Sequence, residues 1–143
     1  MKGDLEQAEH AYRRAVALAP TDPAPQFNLG NVLMAGGRLE PAAERFSQAV
    51  ALDPSHAAAW FNLAHVQDAL GDRQSAVRYL RRAIAADPTY ADAHFNLADL
   101  SERMGDRLTA EAEWDEYLRL DSTSEWGREA RRRLQALRGP RWA

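Results

Sequence analysis

The chain has 143 residues, 45% of them apolar and 27% charged, with a net charge of −3. Length predicts one domain and composition an ordinary soluble one, and so small a net charge gives no global field that would gather nucleic acid or membrane. Cysteine is absent, which excludes disulfides and thiolate metal sites and fits a cytoplasmic location. No apolar run approaches the ~18 residues needed to cross a bilayer. Met1-Lys2-Gly3-Asp4-Leu5-Glu6 is followed by no apolar segment of signal-peptide type.

In chain order, residues 4–18 carry one apolar stripe at Ala8, Tyr12 and Ala15, the spacing of a single helix. A recurring unit then begins at residue 23. Phe27-Asn28-Leu29-Gly30 returns as Phe61-Asn62-Leu63-Ala64 and as Phe95-Asn96-Leu97-Ala98, once every 34 residues. Glycine keeps the same period at 3, 37, 71 and 105, alanine at 8, 42, 76 and 110, and proline at 20, 54 and 88. A fixed period of this size marks a solenoid of stacked supersecondary units.

The unit 57–90 reads as a helical hairpin. Trp60, Leu63, Ala64 and Gln67 line the core side of a first helix that Gly71 ends, as a residue tolerant of the left-handed conformation does. Asp72 and Ser75 favour a new start. Ala76, Leu80, Ala83 and Ile84 form the stripe of a second helix, and Asp87-Pro88 stops it. Small residues at Ala64 and Ala76 let the two helices approach. After residue 121, Ser122-Thr123-Ser124-Glu125 has the spacing of a capping box. Trp126, Ala130, Leu134 and Leu137 then predict an amphipathic helix over 125–138, with Arg128, Arg131, Arg132 and Arg138 on its polar side. Gly139 to Ala143 reads as a frayed tail. Residues 125–143 hold six arginines against two acids, a net of +4, so the rest of the chain carries −7. This asymmetry is the one long-range electrostatic feature expected.

Trp60-x2-Leu63-Ala64, Ala76-x3-Leu80-x2-Ala83 and Pro88 resemble the tetratricopeptide repeat. The resemblance implies an all-α, right-handed superhelix, an α-α solenoid. Its divisions would be a half repeat over 1–22 (second helix only), whole repeats over 23–56, 57–90 and 91–124, a capping helix over 125–138 and a tail over 139–143. Gln26 and His94 stand where Trp60 supplies an aromatic, and Leu33, Gln67 and Ser101 stand where the family has tyrosine, which puts local packing in question. The resemblance also implies a protein–protein interaction module without catalysis or cofactor, binding an extended peptide or a partner helix in a concave groove lined by the first helices.

The face left over by the core stripe of each first helix supplies the candidate groove residues: Phe27, Asn28 and Asn31; Phe61, Asn62, His65 and Asp68; Asp92, Phe95, Asn96, Asp99, Glu102 and Arg103. Asn28, Asn62 and Asn96 form a ladder, and a carboxamide both donates and accepts, so it can pair with any peptide bond. The ladder is similar to the asparagine array in the repeat region of the O-linked N-acetylglucosamine transferase, which implies peptide-backbone binding. The three phenylalanines would grip apolar ligand side chains or wedge repeats together. Asp68, Asp92, Asp99 and Glu102 would favour a ligand with a basic segment. The carboxylate clamp of co-chaperones is not expected, because Phe27 stands where that pocket needs lysine.

His10, His56, His65 and His94 show no metal-ligand spacing, and no GxSxG, P-loop or GxGxxG sequence occurs; an enzyme is not expected, nor a metal. Two other readings are kept. One is self-association through Ala8, Tyr12 and Ala15, which would normally face a first helix that residues 1–22 do not supply. The other is a nucleic-acid or regulatory accessory acting through the basic final helix, with Trp142 as its exposed aromatic; membranes are not expected as partners.

Overall fold

In a computed structural model that describes residues 2–140, the described residues form eight helices and no strand: α1 (Lys2–Leu18), α2 (Pro23–Ala35), α3 (Leu39–Leu52), α4 (Ala57–Ala69), α5 (Arg73–Ala86), α6 (Ala91–Arg103), α7 (Arg107–Leu120) and α8 (Glu125–Arg138). The all-α hairpin repeat expected from the period is the fold found. Length predicts one domain, whereas the chain groups into two compact units divided between Ala86 and Asp87. The reason lies in the architecture: a repeat in such an array touches only its neighbouring repeats, so no single core gathers the whole chain. Trp142 and the end of the expected tail lie outside the described residues.

The hairpin turns follow from glycine at three equivalent places. Gly37, Gly71 and Gly105 have φ of 76°, 89° and 79°. Each allows the next residue to reach back five places: Arg38 N–H to Leu33 O (2.9 Å), Asp72 N–H to Gln67 O (2.9 Å) and Asp106 N–H to Ser101 O (2.8 Å), which closes the orphan carbonyls of the first helix in a Schellman turn. Gly3 keeps the period but not the geometry. It lies inside α1 without a positive φ, because no described helix precedes it for a turn to close.

Side chains start the helices that follow. Asp22 accepts from Ala24 N–H (3.0 Å), with Pro23 as the first helical residue. Asp72 accepts from Ser75 N–H (3.1 Å) and Asp106 from Thr109 N–H (3.2 Å), satisfying donors that the first turn leaves open. The start of α8 corrects the capping-box expectation. Its cap is Ser124, whose Oγ accepts from Gly127 N–H (3.1 Å). Asp121 in turn accepts from the Ser124 hydroxyl and from the Ser124 and Thr123 N–H groups. A Cβ at position 127 would sit 2.7 Å from the Asp121 carbonyl oxygen, so this close-folded loop admits only glycine there.

The core of residues 2–86 is built on Leu29, Leu33, Phe46, Leu63 and Val66 with Ala42, Ala49 and Ala59 between them. Val66 and Ala59 widen the expected stripe, because α4 packs against α3 as well as α5, so a first helix is covered on two sides. The core of residues 87–140 gathers Trp114, Tyr117, Ala98, Ala110, Ala130 and Leu134. In α8 the buried residues are Gly127, Ala130 and Leu134, whereas Trp126, expected on that stripe, is 61% exposed. The close approach at Gly127 turns the helix so that Trp126 meets Phe95 only edge-on, at 5.6 Å.

Gly30 stands where the other repeats have Ala64 and Ala98. A Cβ on it would lie 2.6 and 2.7 Å from two ring carbons of the fully buried Phe46. Gly30→Ala gains about 1 kcal/mol of helix propensity but forces the ring aside at ~1–3 kcal/mol. A net loss of about 1 kcal/mol is expected in urea melts. Phe46→Leu in that background should recover part of it by recreating the Ala64–Leu80 pairing of the next repeat. A neutral Gly30→Ala would show that the ring yields freely.

Candidate interaction surface

In residues 2–86 the predicted face of α2 and α4 is half-buried at Phe27, Asn28, Asn31, Phe61, Asn62 and Asp68, and exposed at His65. Its central feature is a direct bond between repeats: Asn62 Nδ2 donates to Asn31 Oδ1 at 2.8 Å. Asn62 is thus joined to Asn31, one turn beyond Asn28, and the first rung is a cross-repeat carboxamide pair. Phe27 is committed to packing, its ring 4.6 Å from His56 and 5.9 Å from Phe46.

In residues 87–140, Asp92 and Arg103 are exposed, and Phe95, Asn96, Asp99 and Glu102 are half-buried. Phe95 meets Trp114 and Tyr117 edge-on at 4.8 and 5.2 Å, so it too serves the interior. Asp99 and Glu102 have an occupation that the sequence did not reveal. Arg133 Nη2 donates to Asp99 Oδ1 (2.8 Å) and Glu102 Oε2 (2.9 Å), and its guanidinium lies 4.8 Å from the Trp114 ring centroid. Trp114 Nε1 donates to the other Glu102 oxygen at 2.6 Å, and Arg103 Nε donates to Asp99 at 3.2 Å. Partial burial pulls the Arg133 pKa down, but the hydrogen bonds to Asp99 and then Glu102 outweigh it, and the group stands above the ordinary arginine value. These two carboxylates are answered from within the chain. Arg133 was reached by neither the apolar stripe nor the polar-side arginines; its place three residues after Ala130, on the edge of the buried face, was the available signal.

The other arginines of α8 are engaged too. Arg128 and Arg131 donate to the Thr123 and Ser122 carbonyls, Arg132 pairs with Glu129, and Arg138 donates to Asp115 at 2.7 Å. The basic final helix therefore fastens itself to its own loop and to α7. Among the described residues no group of three or more His, Asp or Glu side chains could hold a metal, and no helix is long and apolar enough to cross a membrane.

At the other end, Ala8, Tyr12 and Ala15 of α1 are half-buried. Their repeat equivalents Ala42, Phe46 and Ala49 are fully buried. Tyr12 is not bare, since it packs on the core that contains Phe46.

The departures from the family pattern resolve into one design. Positions 26 and 45, 60 and 79, and 94 and 113 are repeat equivalents that join a first helix to its second. Arg45 donates to Gln26 Oε1 (3.4 Å), the Trp60 and Tyr79 rings lie 5.6 Å apart, and His94 Nδ1 meets Glu113 Oε2 at 2.6 Å. Trp60 Nε1 bonds to the Pro54 carbonyl and His94 Nε2 to the Pro88 carbonyl, both at 2.8 Å. The histidine thus keeps the loop contact that the tryptophan makes.

Comparison with known proteins agrees with this geometry. Sequence profiles described as TPR repeat match residues 30–71, and profiles described as tetratricopeptide repeat match residues 57–100 and 1–46. A crystal structure of MamA is 25% identical, with a TM-score of 0.83 over 95% of this chain and 83% of that one. A tetratricopeptide repeat protein from Parabacteroides merdae is 23% identical, with a TM-score of 0.85 over 96% of this chain and 55% of that one. A chain of the APC/C hetero-tetramer Cut9-Hcn1 is 21% identical, with a TM-score of 0.78 over 92% and 27%. Among curated proteins nothing matches. With 309 matching chains of solved structures, the shared fold does not select a partner. Hairpin geometry, period and profile matches agree: the chain belongs to the tetratricopeptide-repeat family.

Proposed function

We propose that this protein is a non-catalytic interaction module that holds an extended peptide of another protein along the faces of α2 and α4. The family's use as a protein-interaction scaffold supports the general reading. The observation that carries the finer one is the Asn31–Asn62 pair. That bond consumes one donor and one acceptor, and leaves the Asn31 NH2 and the Asn62 carbonyl oxygen without a partner among the described residues. A donor and an acceptor side by side match the N–H and C=O of a peptide bond, and pairing them with each other fixes both amides beforehand. Asn28 extends the proposal. In residues 87–140 a preference for basic ligands is reduced to Asp92, since Asp99 and Glu102 are occupied by Arg133.

The test is capture of partners from source lysate by the wild type and by Asn31→Ala/Asn62→Ala, with helicity checked by circular dichroism. A partner held by the first and lost by the second supports the reading. Equal recovery removes the carboxamide pair from the mechanism.

A second reading rests on α1, whose Ala8 is half-buried where Ala42, Ala76 and Ala110 are fully covered. Self-association through this face predicts a size in solution that rises with concentration and that Tyr12→Glu abolishes. An oligomer indifferent to that change lies elsewhere.

A further inference from the structure

Helix α5, Arg73–Ala86, contains four arginines and no acidic residue. The expected charge asymmetry at residues 125–143 concealed this, because it counted a terminus rather than each helix. The α8 arginines are all spoken for, but among the described residues none of Arg73, Arg78, Arg81 and Arg82 is paired with a carboxylate. Asp72 caps this helix. Its carboxyl is held below the ordinary range first by hydrogen bonding to Ser75 and only slightly by the Arg78 charge.

Arg78, Arg81 and Arg82 are exposed and stand at i, i+3 and i+4, on one side of the helix. Like charges at those spacings repel, and Arg73 sits at the positive end of the helix dipole. Two of the three guanidiniums are nonetheless held in place. Arg78 donates to Ser75 Oγ at 2.8 Å and lies 5.7 Å from the Tyr79 ring centroid. Arg82 lies 5.7 Å from the Trp60 ring centroid, and Trp60 is itself anchored through Nε1 to the Pro54 carbonyl. A guanidinium resting on a ring face keeps its N–H edge free for bidentate pairing and loses less freedom on binding.

We propose that the outer face of α5 is a second binding surface, separate from the asparagine face, that takes a short acidic segment of a partner protein through Arg78, Arg81 and Arg82. The size of the patch selects this occupant. Its arginines span one helical turn, about 6 Å, which matches two or three carboxylates at i, i+3 and i+4 on a partner helix. A long polyanion is disfavoured, because the same repeat positions on α3 are Glu44, Ser47 and Gln48. The proposal does not depend on the asparagine reading.

The experiment is fluorescence anisotropy of the full chain with a labelled amphipathic peptide carrying glutamates at i, i+3 and i+4. The competitors are an unlabelled single-stranded oligonucleotide and vesicles of anionic phospholipid. Wild type should bind at low salt. Arg78→Gln/Arg81→Gln/Arg82→Gln should weaken binding about tenfold or more. Arg81→Glu alone, which disturbs no ring contact, should weaken it too, whereas Asn31→Ala/Asn62→Ala should bind as wild type does. Absence of peptide binding, or equal binding by the triple variant with unchanged helicity, overturns the proposal. Stronger binding of the oligonucleotide or the vesicles than of the peptide overturns it in favour of phosphate recognition.

Discussion

Trp114→Ala is expected to cost about 3–5 kcal/mol and to strip amide-exchange protection from α6, α7 and α8. The ring is fully buried at the centre of its cluster, with Phe95 edge-on at 4.8 Å and Arg133 4.8 Å from its centroid. Truncation leaves a cavity that the neighbouring alanines, Ala98, Ala110 and Ala130, are too short to fill. It also removes two polar supports. Glu102 loses the 2.6 Å bond from Nε1, and Arg133 loses the face on which its guanidinium rests. Trp114→Phe separates these effects. It keeps most of the volume but not the donor, and should cost about 1–2 kcal/mol. Hydrogen exchange read by mass spectrometry, with urea melts beside it, measures both. If Trp114→Ala leaves protection in α8 unchanged, the cap is held by its other ion pairs alone and the role assigned to this ring is wrong.

The parts of this structure that were legible in the sequence share one property: each is repeated. Three copies of Phe-Asn-Leu, three turn glycines and four in-phase alanines specify hairpins, because a position that must suit the same local geometry each time keeps the same residue type. What was not legible occurs once. Arg133 reaches Asp99 and Glu102 across more than thirty positions of sequence, and no periodicity points to such a pair. Trp126 and Gly127 are adjacent, so helical spacing alone could not decide which faces inward; the 2.7 Å approach of the Asp121 carbonyl decides it. The α5 arginines were visible as residues but not as a surface, because an unanswered charge is recognised only when the places of all the carboxylates are known. The exposure of His65 and the partial burial of Asn62 on α4 follow from helical spacing. The bond from Asn62 to Asn31 was not legible, because the first-helix ladder was drawn from equivalent positions and this pair joins unequal ones.

The largest expected gain comes from exchanging the His94–Glu113 pair for the pair that the preceding repeat uses. His94 is almost wholly buried, with Glu113 2.6 Å from Nδ1 and the Pro88 carbonyl 2.8 Å from Nε2. The carbonyl can only accept, so Nε2 carries the hydrogen and Nδ1 faces the Glu113 carboxyl. Removing one partner strands the other: Glu113→Leu or His94→Leu should cost about 1–3 kcal/mol. Glu113→Gln should cost less than about 1 kcal/mol, since its NH2 donates to Nδ1. His94→Trp with Glu113→Tyr installs the ring pair of Trp60 and Tyr79, including an Nε1–H placed to reach the Pro88 carbonyl as Trp60 reaches Pro54. Replacing both partners of a buried polar pair by packed side chains is often neutral or stabilising, so the double variant should equal or exceed wild type in urea melts. The two single changes, His94→Trp and Glu113→Tyr, should each fall below it. Additive losses, with the double variant as unstable as the sum of its parts, would mean that the two repeats hold their helices at different distances. The three chemistries at 26/45, 60/79 and 94/113 would then be fitted to separate sites. Recovery would instead make them alternative solutions to one packing problem, free to vary because each satisfies the same loop carbonyl and fills the same space.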